Sequence, residues 1–403
     1  MFFRLWTRTG LPRTPFPLSA SPLARRLFSN PRMSTSQLTE AWLEGPQSTK
    51  FYTRTYTPSS SAPKAALVFV HGFAEHIARY SHFHPLLAEK GVAVFAYDQR
   101  GFGQTAQDSK GNKSKTSAYG KTSWKEQMAD IEWALEHVKK SFEGVPLFLM
   151  GHSMGGAEAL GFATQGEKSP HALALKSVCG VISTSPLVEQ TTPASKILRF
   201  VGGKLSALLP SFLIPAPVNP QDLSHDKEVG AAYLKDPLVR EQGSLKGIHD
   251  MLSKGETLLQ SAYAHWPKEL PVLLIHGTED KVTSHKASQS FHDKIDAVKK
   301  KIVLMTDGFH ELHNEPDAMH KVLDEVVAFI EDHLPSSSAK VPDVSAAVSS
   351  STPEAAPAET ASEKEPSVKE QVPKEAESST PEPAPPTEAG IDPTGVGSAR
   401  AKM

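Results

Sequence analysis

Between residues 65 and 305 the apolar positions fall into short unbroken runs, separated by stretches in which they recur every three or four residues. Ala65-Ala66-Leu67-Val68-Phe69-Val70 and Val92-Ala93-Val94-Phe95-Ala96-Tyr97 are runs of the first kind. A strand covered on both faces has no polar side to present, so such runs predict the inner strands of a parallel sheet. Pro146-Leu147-Phe148-Leu149-Met150, Ser177-Val178-Cys179-Gly180-Val181-Ile182, Pro271-Val272-Leu273-Leu274-Ile275-His276 and Lys301-Ile302-Val303-Leu304-Met305 predict more of them. Between Ser123 and Lys140, Met128, Ile131, Leu135 and Val138 keep helical spacing with charges on the other side, which predicts an amphipathic helix. From about Thr39 to Tyr56 the pattern alternates instead, as in Lys50-Phe51-Tyr52-Thr53-Arg54-Thr55-Tyr56, and predicts an antiparallel hairpin. Strands and helices in turn argue for one α/β domain over residues 39–334, with a mainly parallel sheet.

The stretch from about Pro186 to Lys268 breaks this rhythm. It has helical pieces and no strong strand, which predicts a helical cap of about 186–268, inserted after the sixth strand at the carboxyl edge of the sheet. Ile197, Leu198, Val201, Leu205, Leu208 and Leu209 share one face of a helix, Phe212-Leu213-Ile214 extends it, and Lys196, Arg199 and Lys204 fall elsewhere. Two readings stay open: a helix packed on the core by its apolar face, or a lid that touches a membrane or lipid-droplet surface and admits an acyl chain.

Composition changes the picture mainly at the two ends. Residues 1–33 carry Arg4, Arg8, Arg13, Arg25, Arg26 and Arg32, and no acidic residue precedes Glu40. Residues 1–38 therefore resemble a mitochondrial transit leader, although Pro12, Pro15, Pro17 and Pro22 interrupt the amphipathic helix that import uses. The alternative is a leader with no address, with Met33 as a second start that gives a cytosolic form. Residues 335–403 are rich in proline, alanine, serine and glutamate, too poor in apolar surface to offset the entropy of ordering, and read as a disordered tail. A net charge of −2 gives no general basic field for nucleic acid. The lone Cys179 excludes an internal disulfide framework, suits a reducing compartment rather than a secreted protein, and is expected to pack in the core.

The candidate chemistry centres on Gly151-His152-Ser153-Met154-Gly155-Gly156. It matches Gly-x-Ser-x-Gly, the turn that presents a nucleophilic serine between a strand and a helix. Three fixed positions recur by chance in roughly one chain in ten of this length. The context adds the weight, because a predicted strand precedes the motif and an alanine- and leucine-rich helix follows it. A serine hydroxyl needs a base to take its proton and a third group to orient that base. After such an elbow the acid comes next along the chain and the histidine last. Ile275-His276-Gly277-Thr278-Glu279-Asp280 runs from a strand into a loop, and Asp280 is preferred to Glu279 because adjacent side chains point apart. Just past the last strand, Gly308-Phe309-His310-Glu311-Leu312-His313 offers His310 as the base, with His313 as its competitor. Two backbone N–H groups should hold the oxyanion: Met154, directly after the serine, and Phe73, in the His71-Gly72-Phe73 loop.

The set His71-Gly72-Phe73-Ala74-Glu75-His76, Arg79-Tyr80, Gly151 to Gly156, Tyr233 ahead of Asp236-Pro237-Leu238, and His310-Glu311-Leu312-His313 resembles the monoacylglycerol lipases, within the serine-aminopeptidase-like α/β-hydrolases. The resemblance covers roughly residues 40–333. It implies the α/β-hydrolase fold, a lipid ester as substrate, cleavage of monoacylglycerol to fatty acid and glycerol, and no metal or organic cofactor. It further implies a glycerol-side pocket of Glu75, Arg79, His152, Tyr233 and His313, while Glu75 and Arg79 also read as a structural ion pair. Lysophospholipase or general carboxylesterase activity with the same triad stays open, as does a non-catalytic binding protein on this fold. Regulation through cap cysteines does not carry over, because this cap has none. Nor does localisation, since the leader and tail lie outside the shared core.

Overall fold

The structure is a computed structural model and describes residues 36–59, 62–193 and 195–335, the side chains of 196–198 excepted. Most of the expected leader and all of the expected tail beyond Pro335 lie outside the described residues. The chain opens with an antiparallel hairpin of β1 (Ser36–Glu44) and β2 (Lys50–Pro58). β3 (Ala65–Val70), β4 (Val92–Tyr97), β5 (Leu147–His152) and β6 (Val178–Thr184) follow, and after a long insertion β9 (Val272–Gly277) and β10 (Lys300–Met305). The sheet order is β1-β2-β4-β3-β5-β6-β9-β10, and every pairing from β4 to β10 is parallel. In β3, β4, β5 and β9 every residue is buried, which is why those runs carry no polar side.

Helices cover both faces, so two apolar clusters form, one on each side. On one side helix Trp124–Ser141 buries Met128, Ile131, Leu135 and Val138, capped by Ser123, whose hydroxyl accepts from Glu126 N–H. On the other side helix Met319–Asp332 buries Val322, Val326 and Ile330. Cys179 is only half-buried; it lines a cavity of about 810 Å³ at the amino edge of the sheet, below β6 and β9.

The insertion between β6 and β9 holds helices Lys196–Leu208, Lys227–Lys235 and Leu245–Gln260. It also contains a small antiparallel pair, β7 (Leu213–Pro215) with β8 (Gln242–Ser244), where sequence patterning predicts no strong strand. Three residues are too few to show a period of two. Helix Lys196–Leu208 turns its small residues inward: Ser206 is buried, and a Cβ on Gly203 would come 2.9 Å from the His249 ring. Phe200 and Leu208 face out, 67% and 75% exposed, with Phe212 just beyond the helix 59% exposed, while Val201 and Leu205 line a space shared with helix Leu245–Gln260. The helix meets its neighbour closely at Gly203, while Phe200 and Leu208 stay turned to solvent.

Candidate active site

Ser153 sits between β5 and helix Met154–Ala163 at φ 55° and ψ −117°, a strained backbone region for a residue with a side chain. The surroundings hold it there. Ser153 N–H donates to the Thr184 carbonyl at 3.0 Å, and its own carbonyl accepts from Leu187 N–H at 2.9 Å. The flanking glycines are required by contact: a Cβ on Gly151 would lie 2.0 Å from the Gly155 carbonyl oxygen, and one on Gly155 2.2 Å from that of Val70.

Two loops at the carboxyl edge bring in the remaining groups. One follows β9 and carries Asp280; the other follows β10 and carries His310. They touch at Gly277, where a Cβ would meet the Gly308 carbonyl oxygen at 2.2 Å. His310 Nε2 lies 3.0 Å from Ser153 Oγ, and His310 Nδ1 lies 2.8 Å from Asp280 Oδ2. A carboxylate only accepts, so Nδ1 carries the proton and Nε2 presents its lone pair to the serine. Burial alone would lower the His310 pKa, but the charge and hydrogen bond of Asp280 outweigh it and leave the pKa raised. Burial would likewise raise Asp280, and His310 with the other donors outweighs it and holds the acid well below the usual carboxylate range. Glu279 is exposed and its amide donates to Gly308, so it does not reach the histidine.

The His71-Gly72-Phe73 loop leaves β3 beside the elbow, and a Cβ on Gly72 would lie 3.1 Å from Ser153 Cβ. His71 is fully buried: Nε2 accepts from Gln99 N–H at 2.8 Å and Nδ1 donates to the Gly72 carbonyl at 2.8 Å. Burial pulls its pKa down to about 3, so it stays neutral and braces the turn before Phe73. The Met154 amide begins a helix and has no acceptor within that helix.

A cavity of about 140 Å³ opens in front of Ser153, lined among others by Phe73, Glu75, His152, Tyr233, His310 and Glu311. Arg79 and His313 lie behind this lining. Arg79 Nε donates to Glu75 at 3.1 Å, its other end pairs with Glu311, and its guanidinium lies 5.1 Å from the Tyr233 ring centre. Glu75 also accepts from the Gly72 amide and, at 2.7 Å, from Tyr80 Oη. His313 stacks on Tyr80 with ring centres 4.5 Å apart and does not approach Ser153 Oγ. His152 Nδ1 contacts Thr184 Oγ1 at 3.1 Å, and its ring centre is 4.9 Å from that of His310. Tyr233 Oη is buried with no hydrogen-bond partner. Glu311 is the site residue that sequence patterning misses. It stands next to His310, but its partner Arg79 is 232 positions away, and no local spacing signals such a pair.

One further space adjoins the cavity, and a second adjoins that one. Leu187 and Gln190 also line a gap of about 10 Å³. That gap shares Pro193, Arg199 and Leu252 with an apolar space of about 880 Å³ between helices Lys196–Leu208 and Leu245–Gln260.

The sequence profile of the family described as serine aminopeptidase, S33 matches residues 61–317. The chain belongs to that hydrolase family. It is 33% identical over 285 residues to a putative monoglyceride lipase of Schizosaccharomyces pombe, covering 70% of this chain and 71% of the relative. It is 27% identical over 273 residues to the monoglyceride lipase of Homo sapiens, covering 67% and 84% respectively. Among solved structures, a soluble variant of the Saccharomyces cerevisiae monoglyceride lipase with a substrate analogue aligns with a TM-score of 0.63 at 23% identity, covering 75% of this chain and 97% of that one. The α/β-hydrolase fold of this family is thus the fold of the chain. Among the described residues no helix is long and apolar enough to cross a membrane, and no cluster of side chains is arranged to hold a metal ion.

Proposed function

We propose that this hydrolase cleaves monoacylglycerol esters to fatty acid and glycerol through an acyl-enzyme on Ser153. The observation that carries the chemistry is the chain of contacts from Ser153 Oγ through His310 to Asp280, at 3.0 and 2.8 Å. Ser153 Oγ attacks the ester carbonyl as its proton passes to His310 Nε2, and the amides of Phe73 and Met154 receive the developing oxyanion. Collapse breaks the carbonyl–oxygen bond to glycerol, and His310 returns the proton to the leaving alkoxide. Water then repeats the sequence and releases the fatty acid. A preorganised donor of this kind contributes roughly 10²–10³-fold to kcat.

The substrate assignment rests on the relatives and on the shape of the site. A cavity of about 140 Å³ suits a small headgroup, with the free Tyr233 hydroxyl, Glu75 and His152 along its wall. Arg79 and His313 act from behind, holding Glu75, Glu311 and Tyr80 in place. The acyl chain is assigned to the apolar space of the cap, and the narrow gap beside Leu187, lined by the Arg199–Glu256 pair, must widen to admit it. An aminopeptidase subsite would need a free carboxylate for a substrate ammonium. Glu75 and Glu311 face the cavity, but Arg79 already lies between them.

The outward Phe200, Leu208 and Phe212 suit contact with a lipid surface, and Lys204 beside Phe200 suits an anionic one. The domain limits follow the same reading: a hydrolase domain over 39–334 with its cap at 186–268, while the leader, proposed to carry a mitochondrial address, and the tail fall mostly outside the described residues. Turnover of monoacylglycerol, lysophosphatidylcholine and a short aryl ester, compared on one preparation, tests the substrate; preference for lysophosphatidylcholine would reassign it. Leu208→Asp with Phe212→Asp should weaken sedimentation with phosphatidylcholine–phosphatidylserine vesicles and leave short-ester turnover unchanged. Imaging residues 1–38 fused to a fluorescent protein tests the leader, and a diffuse cytosolic signal would reject import.

A further inference from the structure

Asp280 is contacted by a second histidine that the catalytic chain does not use. His276 lies in β9, four residues before Asp280, is fully buried and does not line the active-site cavity. Its Nε2 is 3.1 Å from Asp280 Oδ2 and 3.1 Å from the Thr283 carbonyl oxygen. Both are acceptors only, so the hydrogen sits on Nε2, and Nδ1 accepts from the Ser288 hydroxyl at 2.8 Å. The orientation of this ring is thereby fixed at both nitrogens.

We propose that His276 is a positioning residue that acts on catalysis through Asp280. This rests on His310 being the base and Asp280 the acid, as inferred above. A carboxylate has about four lone-pair positions. Oδ1 accepts from the amides of Val282 and Thr283, each at 2.8 Å. Oδ2 accepts from His310 and His276 and, at 2.8 Å, from the Thr283 hydroxyl, which also lies 3.0 Å from the Ser185 carbonyl oxygen. Filling the positions stops the carboxylate from rotating, so Oδ2 stays aimed at His310 Nδ1. It also draws negative charge away from the oxygen that His310 shares, which limits how strongly the protonated imidazole is held. Without the His276 donor the carboxylate turns more freely and holds protonated His310 more tightly. The other titratable or charged groups facing this cluster are His152 from β5, His285 on the helix after Asp280, and Glu75, Arg79 and Glu311 around the cavity.

The test compares His276→Leu, which removes the donor, with His276→Gln, whose terminal amide can still reach Oδ2. Turnover of a short soluble ester is measured from pH 5 to 10, with thermal melting of each protein. His276→Leu should lower kcat by roughly ten- to a hundred-fold, the scale of a misaligned catalytic group. Its KM should stay within about two-fold, because His276 does not line the cavity, and the acid limb of kcat/KM should move to higher pH. His276→Gln should restore kcat to within about three-fold and return the acid limb. Wild-type kcat in His276→Leu would overturn the role. So would an equal loss in both variants with an unmoved acid limb, because the ring would then serve packing alone. Should His276→Leu fail to fold, His276→Gln carries the test by itself, and a kcat loss beyond ten-fold at wild-type melting temperature refutes the donor role. Absence of any wild-type turnover would instead refute the hydrolase assignment.

Discussion

Arg79 is the single cation between two buried carboxylates, which makes Arg79→Met the most informative stability perturbation. The side chains of Arg79, Glu75 and Glu311 are 8%, 6% and 4% exposed, so water does little to screen them. Methionine keeps much of the stem and removes the charge. Breaking a buried pair by removing one partner costs about 3–5 kcal/mol, because the remaining charge is left uncompensated. Here two carboxylates lose their partner, and the upper half of that range is expected at pH 8, a fall in Tm of roughly 6–15 °C. The pH dependence fixes the cause. Burial already raises the Glu75 pKa in the wild type, with Arg79 pulling against it, so removing Arg79 raises it further. A carboxyl whose folded-state pKa exceeds its unfolded value destabilises at high pH, and that penalty fades as pH falls through the folded pKa. The deficit of Arg79→Met relative to wild type should therefore shrink between pH 8 and pH 5.5. Urea denaturation at the two pH values measures it. A deficit under about 1 kcal/mol, or one that is equal at both pH values, would refute the uncompensated-charge reasoning.

The remaining expectations concern the elbow and the base. His310→Ala should lower kcat by roughly 10⁴–10⁶-fold, the scale of losing a triad member, whereas His313→Ala should stay within about ten-fold because its ring stacks on Tyr80 and does not reach Ser153; steady-state kinetics separates them. His310 must be neutral to accept the serine proton and its pKa is raised, so the acid limb of kcat/KM should have its midpoint above 6.5. Gly155→Ala places a methyl 2.2 Å from the Val70 carbonyl oxygen and 2.4 Å from that of His71. It should destabilise by about 3 kcal/mol and displace the loop that carries Phe73, seen as lost kcat together with a lowered Tm.

The elements that were legible in the sequence are those whose burial is complete or whose chemistry is local. Every residue of β3, β4, β5 and β9 is buried, so the runs themselves announce the sheet, and the sheet in turn puts Ser153, Asp280 and His310 on loops at one edge. Helix Lys196–Leu208 shows the limit. Its apolar face is evident from spacing, but that the helix meets His249 through Gly203 while Phe200 and Leu208 turn outward is an arrangement that hydropathy does not encode. The same holds for the supports of the site. Tyr80 with Glu75, Arg79 with Glu311, and His276 with Ser288 are specific hydrogen-bonded pairs, and the long-range one between Arg79 and Glu311 exists only once β10 has brought its loop beside β3. Cys179 lies in an apolar run yet is half-buried, because a strand end at the sheet's amino edge opens onto a cavity that the run cannot reveal.

The nucleophile is tested most directly by mass spectrometry of the folded protein after reaction with a fluorophosphonate, in the wild type and in Ser153→Ala. A single adduct on the peptide that contains Ser153, absent from Ser153→Ala, is the predicted result. A folded wild type that carries no adduct, or an equal adduct on Ser153→Ala, would contradict it.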